Sequence, residues 1–450
     1  MADGKKVNPR AGRRNWTVSR RDFVKGAVSL GLSAGALSPN LMAGGGRAAA
    51  ATEITLWHGW TGADNTQMLN TVLAKFNKAN PSGVTVKATA LPWDTLFSKW
   101  VIAAAAGTPP NVTMYHTSEL AEYAKRGITR PIDDFVKTIG IDFTGVPKTV
   151  MDAVHYNGQL YAIPGDLHPM AMYYNVDLAR KAGLDASKPP TTKDQFLHWA
   201  EKLTVRGPGG TISQYGVDMP NTGAIPRWFW FSLFYQNGGT FLGADGKSQV
   251  ASAASRDALQ FLVDLYHKYK VAAYGSGGVA SDPFGAQKAA IRFIGPWEVN
   301  LRLQQKVHFA TAPMPVVGMK PAAWANAHCQ SISKQHSDSR YEADLMFMKW
   351  FFQNYALPAA VVGVIPVAPA SRRSSAFVHD VHYPYYKAFM AELDHVALEP
   401  AIPQYTKIFS FGKPTPLSTN LEAALAGSKT VEQALKDMKE GIDAQLAQPY

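Results

Sequence analysis

The chain has 450 residues, a formal net charge of +11 and a single cysteine, Cys329. Residues 1–51 carry nine Lys and Arg against two acids, so residues 52–450 hold a net charge of only +4. That small charge gives little electrostatic reason to expect a nucleic acid or membrane-surface partner. A lone cysteine excludes an intramolecular disulfide.

Residues 1–51 are predicted to be a removable export signal. The pair Arg20-Arg21 lies before a weakly apolar run, which is typical of the twin-arginine type of bacterial signal. Glycines and a proline interrupt that run, so it is unsuited to span a bilayer as a helix. Small residues place the predicted cleavage near Ala51. We expect residues 52–450 to be a soluble, unanchored protein of the periplasm.

The mature chain begins with alternating strands and helices. Residues 53–58 alternate polar and apolar side chains and predict a strand, and residues 64–79 have helical spacing. A strand at 84–88, a helix at 94–106 and a strand at 111–116 follow. This alternation predicts an α/β lobe built on βαβ units.

The pattern changes after about residue 150. Asn157-Gly158 predicts a hairpin turn, and Pro164-Gly165 predicts a break in the chain. The stretch with Trp324, Asn326 and His328 reads as a loop. The other predicted elements are strands at 171–175 and 289–294, and helices at 176–182, 192–204, 226–236, 252–270 and 340–354, with two helices within 417–448.

Six short motifs occur in a family's order and spacing. They are Ile54–Trp60, Tyr156–Pro164, Tyr173–Asn175, Gln236–Gly239, Gly295–Glu298 and Ala325–His328. In them the chain resembles the extracellular solute-binding proteins of ABC importers, in the sugar-binding branch of the maltose- and trehalose-binding relatives. The similarity covers essentially all of 52–450, although the family's motifs after residue 400 are only loosely echoed.

The resemblance implies an α/β, two-lobed periplasmic binding protein fold of type II, with the ligand cleft between the lobes. The N-terminal lobe would comprise residues 52–162 plus 313–366. The C-terminal lobe would comprise residues 167–310 plus 370–450. The hinge crossings would lie near Pro164-Gly165 and Ala312-Pro313, because hinges place the backbone change in a few element-terminal residues.

The resemblance also implies a function. The protein would be a monomeric, non-enzymatic capture protein without cofactor or metal, which closes on a sugar or small glycoside and delivers it to the permease subunits of an ABC importer. An alternative ligand is a phosphorylated polyol such as glycerol phosphate, with Arg227 and Arg292 as candidate cations. A more distant alternative is a secreted glycoside hydrolase with paired carboxylates. His379 and His382 lack a third ligand, so no metal site is predicted there.

A sugar ring has apolar CH faces and a rim of hydroxyls, so its site needs aromatic faces and a few fixed polar groups. We expect these groups near strand ends and the predicted hinges. Trp297 is the expected stacking platform and Asp166 the expected acceptor of sugar hydroxyls. Core packing or capping is the alternative role for each candidate. The aromatic candidates are Trp57, Trp60, Trp228, Trp230, Trp297 and Trp324, with Gly295 beside Trp297. The polar candidates are His58, Tyr115, His116, Thr117, Asp166, His168, Asn326 and His328.

Overall fold

A computed structural model describes residues 52–80, 82–272, 282–334, 338–410 and 414–449. The predicted export signal, residues 1–51, lies outside the described residues. Among the helices that are described, none has the length and apolar character needed to cross a membrane.

The strands and helices predicted for the first part of the mature chain are confirmed. Helix α1 buries Met68, Leu69, Val72, Leu73 and Phe76, the face that helical spacing predicts. The elements are β1 (Glu53–His58), α1 (Ala63–Ala79), β2 (Thr85–Ala90), α2 (Trp93–Ala105) and β3 (Val112–His116).

The later elements follow local sequence signals in most places. Asn157 (φ 48°) and Gly158 (φ 77°) form the predicted hairpin turn, and Thr192 caps α7 in a capping box with Gln195. The further strands are β4 (His155–Tyr156), β5 (Gln159–Leu160), β6 (Ile163–Pro164), β7 (Asp166–Pro169), β8 (Ala171–Asn175), β9 (Val205–Arg206), β10 (Ile212–Asp218), β11 (Ala289–Ile294), β12 (Phe309–Ala312), β13 (Ala323–Asn326), β14 (His328–Ile332), β15 (Ile365–Pro366) and β16 (Val396–Leu398). The further helices are α3 (Leu120–Lys125), α4 (Asp133–Ile139), α5 (Lys148–Ala153), α6 (Val176–Lys181), α7 (Lys193–Lys202), α8 (Ala224–Gln236), α9 (Ala253–His267), α10 (Val299–Gln304), α11 (Asp338–Gln353), α12 (Ala356–Val362), α13 (Pro369–Arg373), α14 (Ser375–Val378), α15 (Tyr383–Ala391), α16 (Tyr405–Phe409), α17 (Pro416–Leu425) and α18 (Val431–Leu446).

The described residues form three larger sheets and a two-stranded one, β4-β5. The first has the order β2-β1-β3-β14-β6, with β1 parallel to β2 and β3 and with β14 antiparallel to β3. The second has the order β12-β8-β11-β10-β9. The third has the order β15-β7-β13-β16 and takes its strands from four separate parts of the chain. The third sheet thus lies along the segments that pass between the predicted lobes.

The predicted loop around Trp324, Asn326 and His328 is wrong, because this stretch forms β13 and β14. Every residue of both strands is buried, so the apolar–polar alternation of a half-exposed strand is missing. The residues directly after the predicted break at Pro164-Gly165, for which no strand was predicted, form the fully buried strand β7.

The lobe boundaries stay a prediction. Residues 313–322 contact the second predicted lobe: the Val316 amide donates to the Thr191 carbonyl, and the Gln236 carboxamide oxygen accepts from Val317 and Gly318. This segment therefore packs on residues assigned to the predicted C-terminal lobe before the chain enters β13.

Glu392 lies beside the predicted crossing, where its carboxylate accepts a hydrogen bond from the Met314 amide. The side chain is nearly fully buried, and burial raises the pKa of Glu392 to about 7 from 4.5. Between these two pH values the folded protein holds a proton that the unfolded chain has released. The free energy of unfolding is therefore expected to fall as the pH rises from 4.5 to 7.

Glu392→Gln keeps the acceptor and removes the charge. We expect the variant to exceed the parent in free energy of unfolding at pH 8, by at most about 3 kcal/mol, and to match it at pH 4. Urea unfolding of residues 52–450 at both pH values measures this, with the exposed Glu201→Gln as control. A variant that gains nothing at pH 8 would contradict the buried-acid account.

Candidate functional site

A cavity of about 370 Å³ collects side chains from the ends of β1 and β3, from β7, β13 and β14, and from helix α8. Its volume suits a small organic ligand. We call this cavity the cleft. The residues that line it are Gly59, Trp60, Thr61, Gly62, Asn65, Trp93, His116, His168, Trp228, Trp297, Trp324, Asn326, His328, Val362 and Val364.

One wall of the cleft is aromatic. The rings of Trp228 and Trp324 stack with centroids 4.3 Å apart and planes 19° from parallel. Trp297 meets both edge-on, at 5.9 and 6.5 Å. Trp228 and Trp324 are buried, whereas Trp297 is partly exposed. Trp297 is therefore the indole of this wall that is most available to a ligand.

Two glycines allow tryptophan rings to reach the cleft. A Cβ at Gly295 would lie 1.8 Å from the Trp297 ring, and a Cβ at Gly59 would lie 2.1 Å from the Trp93 ring. Any larger residue would displace these indoles. Gly295 lines no part of the cleft, so its contribution is to position Trp297; its carbonyl also accepts a hydrogen bond of 2.8 Å from the Tyr173 hydroxyl.

Three buried histidines supply polar groups to the lining of the cleft. One ring nitrogen from each of His116, His168 and His328 lies within 4.8 Å of the others. Trp93 stacks on His328 with centroids 5.0 Å apart and 11° between the planes, and its ring lies 4.3 Å from His116. The imidazoles therefore face the cleft in a packed group.

Asp166 lies behind the histidines and does not line the cleft. Its carboxylate accepts hydrogen bonds from His168 Nδ1 (2.9 Å), His328 Nδ1 (2.8 Å) and the Tyr355 hydroxyl. Burial alone would raise the pKa of Asp166, but His328 and His168 hold it well below its usual range. The predicted contact of Asp166 with sugar hydroxyls stays a prediction, and in this structure the carboxylate oxygens accept from donors of the protein itself.

The cleft histidines offer acceptors. A carboxylate only accepts, so His168 and His328 each donate an Nδ1–H to Asp166, and neutral His168 keeps the lone pair of Nε2 as an acceptor. Burial lowers the pKa of His168 to about 4, with His328 adding to the effect and Asp166 opposing it. Burial also lowers the pKa of His116 well below its usual value. These two rings are therefore uncharged at neutral pH.

Two indole N–H groups of the cleft offer donors. Trp60 Nε1 and Trp324 Nε1 are buried and have no hydrogen-bond partner among the described residues. Asn326 also lines the cleft, but its amide donates to Ser118 Oγ (3.0 Å) and its oxygen accepts from Thr117 Oγ1 (3.3 Å). Thr117 therefore supports Asn326 from behind instead of lining the cleft.

Four other candidates lie outside the lining. His58 Nδ1 accepts from the Trp60 amide at 3.3 Å and shapes the turn that carries Trp60. Tyr115 bonds Ser331 Oγ at 2.8 Å inside the first sheet. Trp230 stacks on Phe234 in the core, and Trp57 packs beneath the Lys99 ammonium, 5.1 Å from its ring.

Several lining residues were not predicted from the sequence. Trp93 begins α2 shortly after β2 ends at Ala90. The rule that ligands bind beyond strand ends would therefore have identified it. Asn65 lies in the first turn of α1 and had a weaker signal of the same kind. Val362 and Val364 flank Gly363 and carry no polar or aromatic signature that distinguishes them from core residues.

Arg227 and Arg292, the candidate cations for a phosphate, lie outside the cleft lining and contact other groups of the protein. Arg292 pairs with Asp218 (2.7 Å) and Glu298 (2.8 Å). Arg227 donates to the Phe409 carbonyl (2.8 Å) and lies 3.5 Å from Glu399. Within the part of the chain that the structure describes, neither a lysine nor an arginine lines the cleft.

Solved structures with the same architecture include an ABC substrate-binding protein from Listeria monocytogenes in complex with cycloalternan. It has a TM-score of 0.76 and 20% identity, over 89% of this chain and 100% of that one. The maltose/maltodextrin-binding domain from Bdellovibrio bacteriovorus, bound to maltotriose, has a TM-score of 0.71 and 24% identity, over 88% and 100%. The fold is therefore the mixed α/β, two-lobed type II fold of periplasmic binding proteins, as predicted.

Sequence relatives agree with the fold. A Brucella abortus (strain 2308) protein named as a binding protein is 24% identical over 386 residues, 82% of this chain and 88% of that protein. The sn-glycerol-3-phosphate-binding periplasmic protein of Agrobacterium fabrum is 27% identical over 162 residues, 35% of this chain and 37% of that protein. A family model described as bacterial extracellular solute-binding protein matches residues 71–385, well over half of the chain. The chain belongs to the bacterial extracellular solute-binding proteins.

Proposed function

We propose that this protein captures a neutral sugar or small glycoside in the cleft and delivers it to the permease of an ABC importer. The observation that carries the proposal is the lining itself: indole rings lie beside imidazole and amide groups, and the described lining has no lysine, arginine, aspartate or glutamate. Stacked indoles suit the CH faces of a sugar ring, and a few fixed donors and acceptors suit its hydroxyls. Solved relatives bound to maltotriose, cycloalternan and α-D-tagatose support this ligand class.

We assign the binding residues by the apolar or polar character of each side chain in the lining. Trp60, Trp93, Trp228, Trp297 and Trp324 would contact the apolar faces of the ligand. His116, His168 and His328 would accept hydrogen bonds from its hydroxyls through ring nitrogens, and the indole N–H groups of Trp60 and Trp324 would donate to its oxygens. Asp166, His58 and Thr117 would hold these groups in place from behind.

Closure of the lobes would complete the site. Asn300 Nδ2 and Gln304 Nε2 on α10 each donate to Asp64 Oδ2 on α1 at 3.2 Å, so these two helices meet close to Gly62 and Asn65 of the cleft. A ligand that contacts both lobes binds the closed state better and shifts the population toward it.

Screening the mature protein against carbohydrates tests the proposal. We expect one or more mono-, di- or trisaccharides or polyols to raise the melting temperature and to bind with micromolar or tighter affinity in calorimetry, about −8 kcal/mol. No binder among these classes would overturn the sugar assignment.

A glycerol phosphate is the second candidate, supported by the partial sequence similarity to glycerol-3-phosphate-binding proteins. A phosphate needs Arg, Lys or converging N–H groups, and the described lining has neither of the two cationic side chains. Affinity for glycerol 3-phosphate that falls steeply between low and high salt would favour this ligand over a neutral sugar.

A hydrolytic function has less support. Glycoside hydrolysis ordinarily uses two carboxyl groups that flank the scissile bond. Among the described lining residues there is no aspartate or glutamate. We therefore propose binding without turnover, and release of chromophore from a chromogenic glycoside by the purified protein would contradict it.

We further propose export through the twin-arginine route to the periplasm, with cleavage near Ala51, and action as a monomer. Replacing Arg20 and Arg21 together by Lys is expected to leave the full-length precursor in the cytoplasm. Cell fractionation with immunoblotting measures this, with the double Lys substitution of Arg13 and Arg14 as the matched control. Undiminished periplasmic protein in the Arg20/Arg21 variant would contradict the route.

A further inference from the structure

We propose that His116, His168 and His328 form a binding site for a divalent first-row metal ion of the zinc type in the wall of the cleft. One ring nitrogen from each lies within 4.8 Å of the others, and all three residues line the cavity. Imidazole nitrogens are preferred ligands of Zn²⁺, Ni²⁺ and Cu²⁺. The inference goes beyond sugar capture and does not depend on the identity of the sugar.

The three histidines come from neighbouring, rigid strands. His328 opens β14 directly opposite His116, the last residue of β3. His168 in β7 lies opposite Asn326 of β13, two residues before His328. The backbone pairing therefore fixes the relative positions of the Cα atoms, and small side-chain rotations remain to bring the ring nitrogens to the closer spacing that metal–nitrogen bonds of about 2.0–2.1 Å require.

Asp166 supplies the outer contact that metal-binding histidines usually have. Its two carboxylate oxygens accept from His168 Nδ1 (2.9 Å) and His328 Nδ1 (2.8 Å), and Oδ1 also accepts from the His328 amide (3.2 Å). A carboxylate on Nδ1 fixes the tautomer and orients Nε2 as the ligand atom. One buried carboxylate that holds Nδ1 of two of the three imidazoles is the second, independent observation for the site.

With three protein ligands that line the cleft, a four-coordinate ion would have one further position for a molecule bound there. Three protein ligands with a fourth, open position are typical of metal sites that bind an exogenous molecule. The open position would face Trp297, whose ring lies edge-on to His168 at 5.6 Å. A bound metal would therefore present a Lewis-acidic contact to an oxygen of the captured ligand, beside the aromatic platform, in place of the hydrogen bonds that these imidazole nitrogens would accept in the metal-free protein.

Zinc titration of chelator-treated, tag-free residues 52–450 tests the proposal. We expect one equivalent of Zn²⁺ to bind with micromolar or tighter affinity in calorimetry. Co²⁺ should give visible absorption bands of a four-coordinate ion, and X-ray absorption of the zinc form should show imidazole nitrogens at about 2.0–2.1 Å. Absence of saturable zinc binding would overturn the site.

Variants locate the binding. His328→Ala is expected to weaken zinc binding at least about 100-fold, and Asp166→Asn about 10- to 100-fold. The control is His308→Ala, because exposed His308 also pairs its Nδ1 with a carboxylate, Asp177 at 2.8 Å, far from the triad in the chain. Equal affinity in His328→Ala and the parent would overturn the assignment, and the cobalt spectrum of the parent protein decides the matter if that variant does not fold.

Sugar binding and zinc binding, measured on the same protein, distinguish failure of the metal site from failure of the proposed function. Sugar binding that persists unchanged in EDTA, together with no zinc binding, would overturn the metal site and leave sugar capture intact. Zinc binding with the expected spectrum and no sugar binder would support the metal site and overturn the sugar assignment.

Discussion

Replacing Asp166 by Ala is expected to lower the free energy of unfolding by about 3–5 kcal/mol. The fully buried carboxylate accepts hydrogen bonds from two imidazoles, the His328 amide and the Tyr355 hydroxyl. Its loss leaves buried donors without their acceptor. The same change is expected to abolish ligand binding, since it releases the histidines that face the cleft.

Chemical unfolding of residues 52–450 at pH 7 measures the effect. Asp177→Ala is the matched control: Asp177 also accepts from a histidine Nδ1, but the pair is exposed, so a loss of under about 1 kcal/mol is expected. A loss for Asp166→Ala no larger than for Asp177→Ala would contradict the central role of Asp166.

The contribution of Asp166 also has a pH dependence of known sign. Its pKa in the folded protein lies below its usual value, so the stabilisation is present above the unfolded pKa near 4 and is lost as the pH falls further. The difference in free energy of unfolding between the parent and Asp166→Asn should therefore shrink at acid pH.

Trp297→Ala is expected to weaken binding of the captured sugar by more than about 1 kcal/mol, roughly five- to tenfold in Kd. The ring lies on the Gly295 backbone, meets the Trp228–Trp324 stack edge-on and is partly exposed to the cleft. Because Trp297 is less buried than its two neighbours, its removal should affect the ligand more than the folded core.

Calorimetry with the best binder of the carbohydrate screen measures this effect. Trp57→Ala is the control, since Trp57 is also partly exposed but lies outside the cleft lining and should leave the affinity unchanged. Trp297→Phe should retain part of the affinity through its remaining ring face. Unchanged affinity in Trp297→Ala would refute the stacking role.

The fold was largely predictable because its elements carry local signals. The buried face of α1, the Asn157-Gly158 turn and the Thr192 cap each follow from spacing or residue type alone. Strands β7, β13 and β14 were missed because they are buried on both faces and lack alternation. The order of the strands in the three larger sheets depends on pairing between segments that are distant in the chain. No local sequence pattern specifies that pairing.

The site was partly predictable for a related reason. The structure brings eight of the sequence candidates to one cavity: Trp60, Trp228, Trp297, Trp324, His116, His168, Asn326 and His328. The hydrogen bond of Asp166 to His328 could not be predicted, because the two residues lie 162 positions apart in the chain. Trp230 lies on the same helix as Trp228, but it stacks on Phe234 in the core and does not reach the cleft. The sequence does not distinguish these two positions.

Mass spectrometry of small molecules released from the protein, purified from the cells that make it, identifies the ligand that the cleft holds. We expect a neutral carbohydrate near one equivalent in the parent and in Trp57→Ala, and a much reduced amount in Trp297→Ala. A phosphorylated polyol, a peptide or another charged molecule in that position would contradict the sugar assignment.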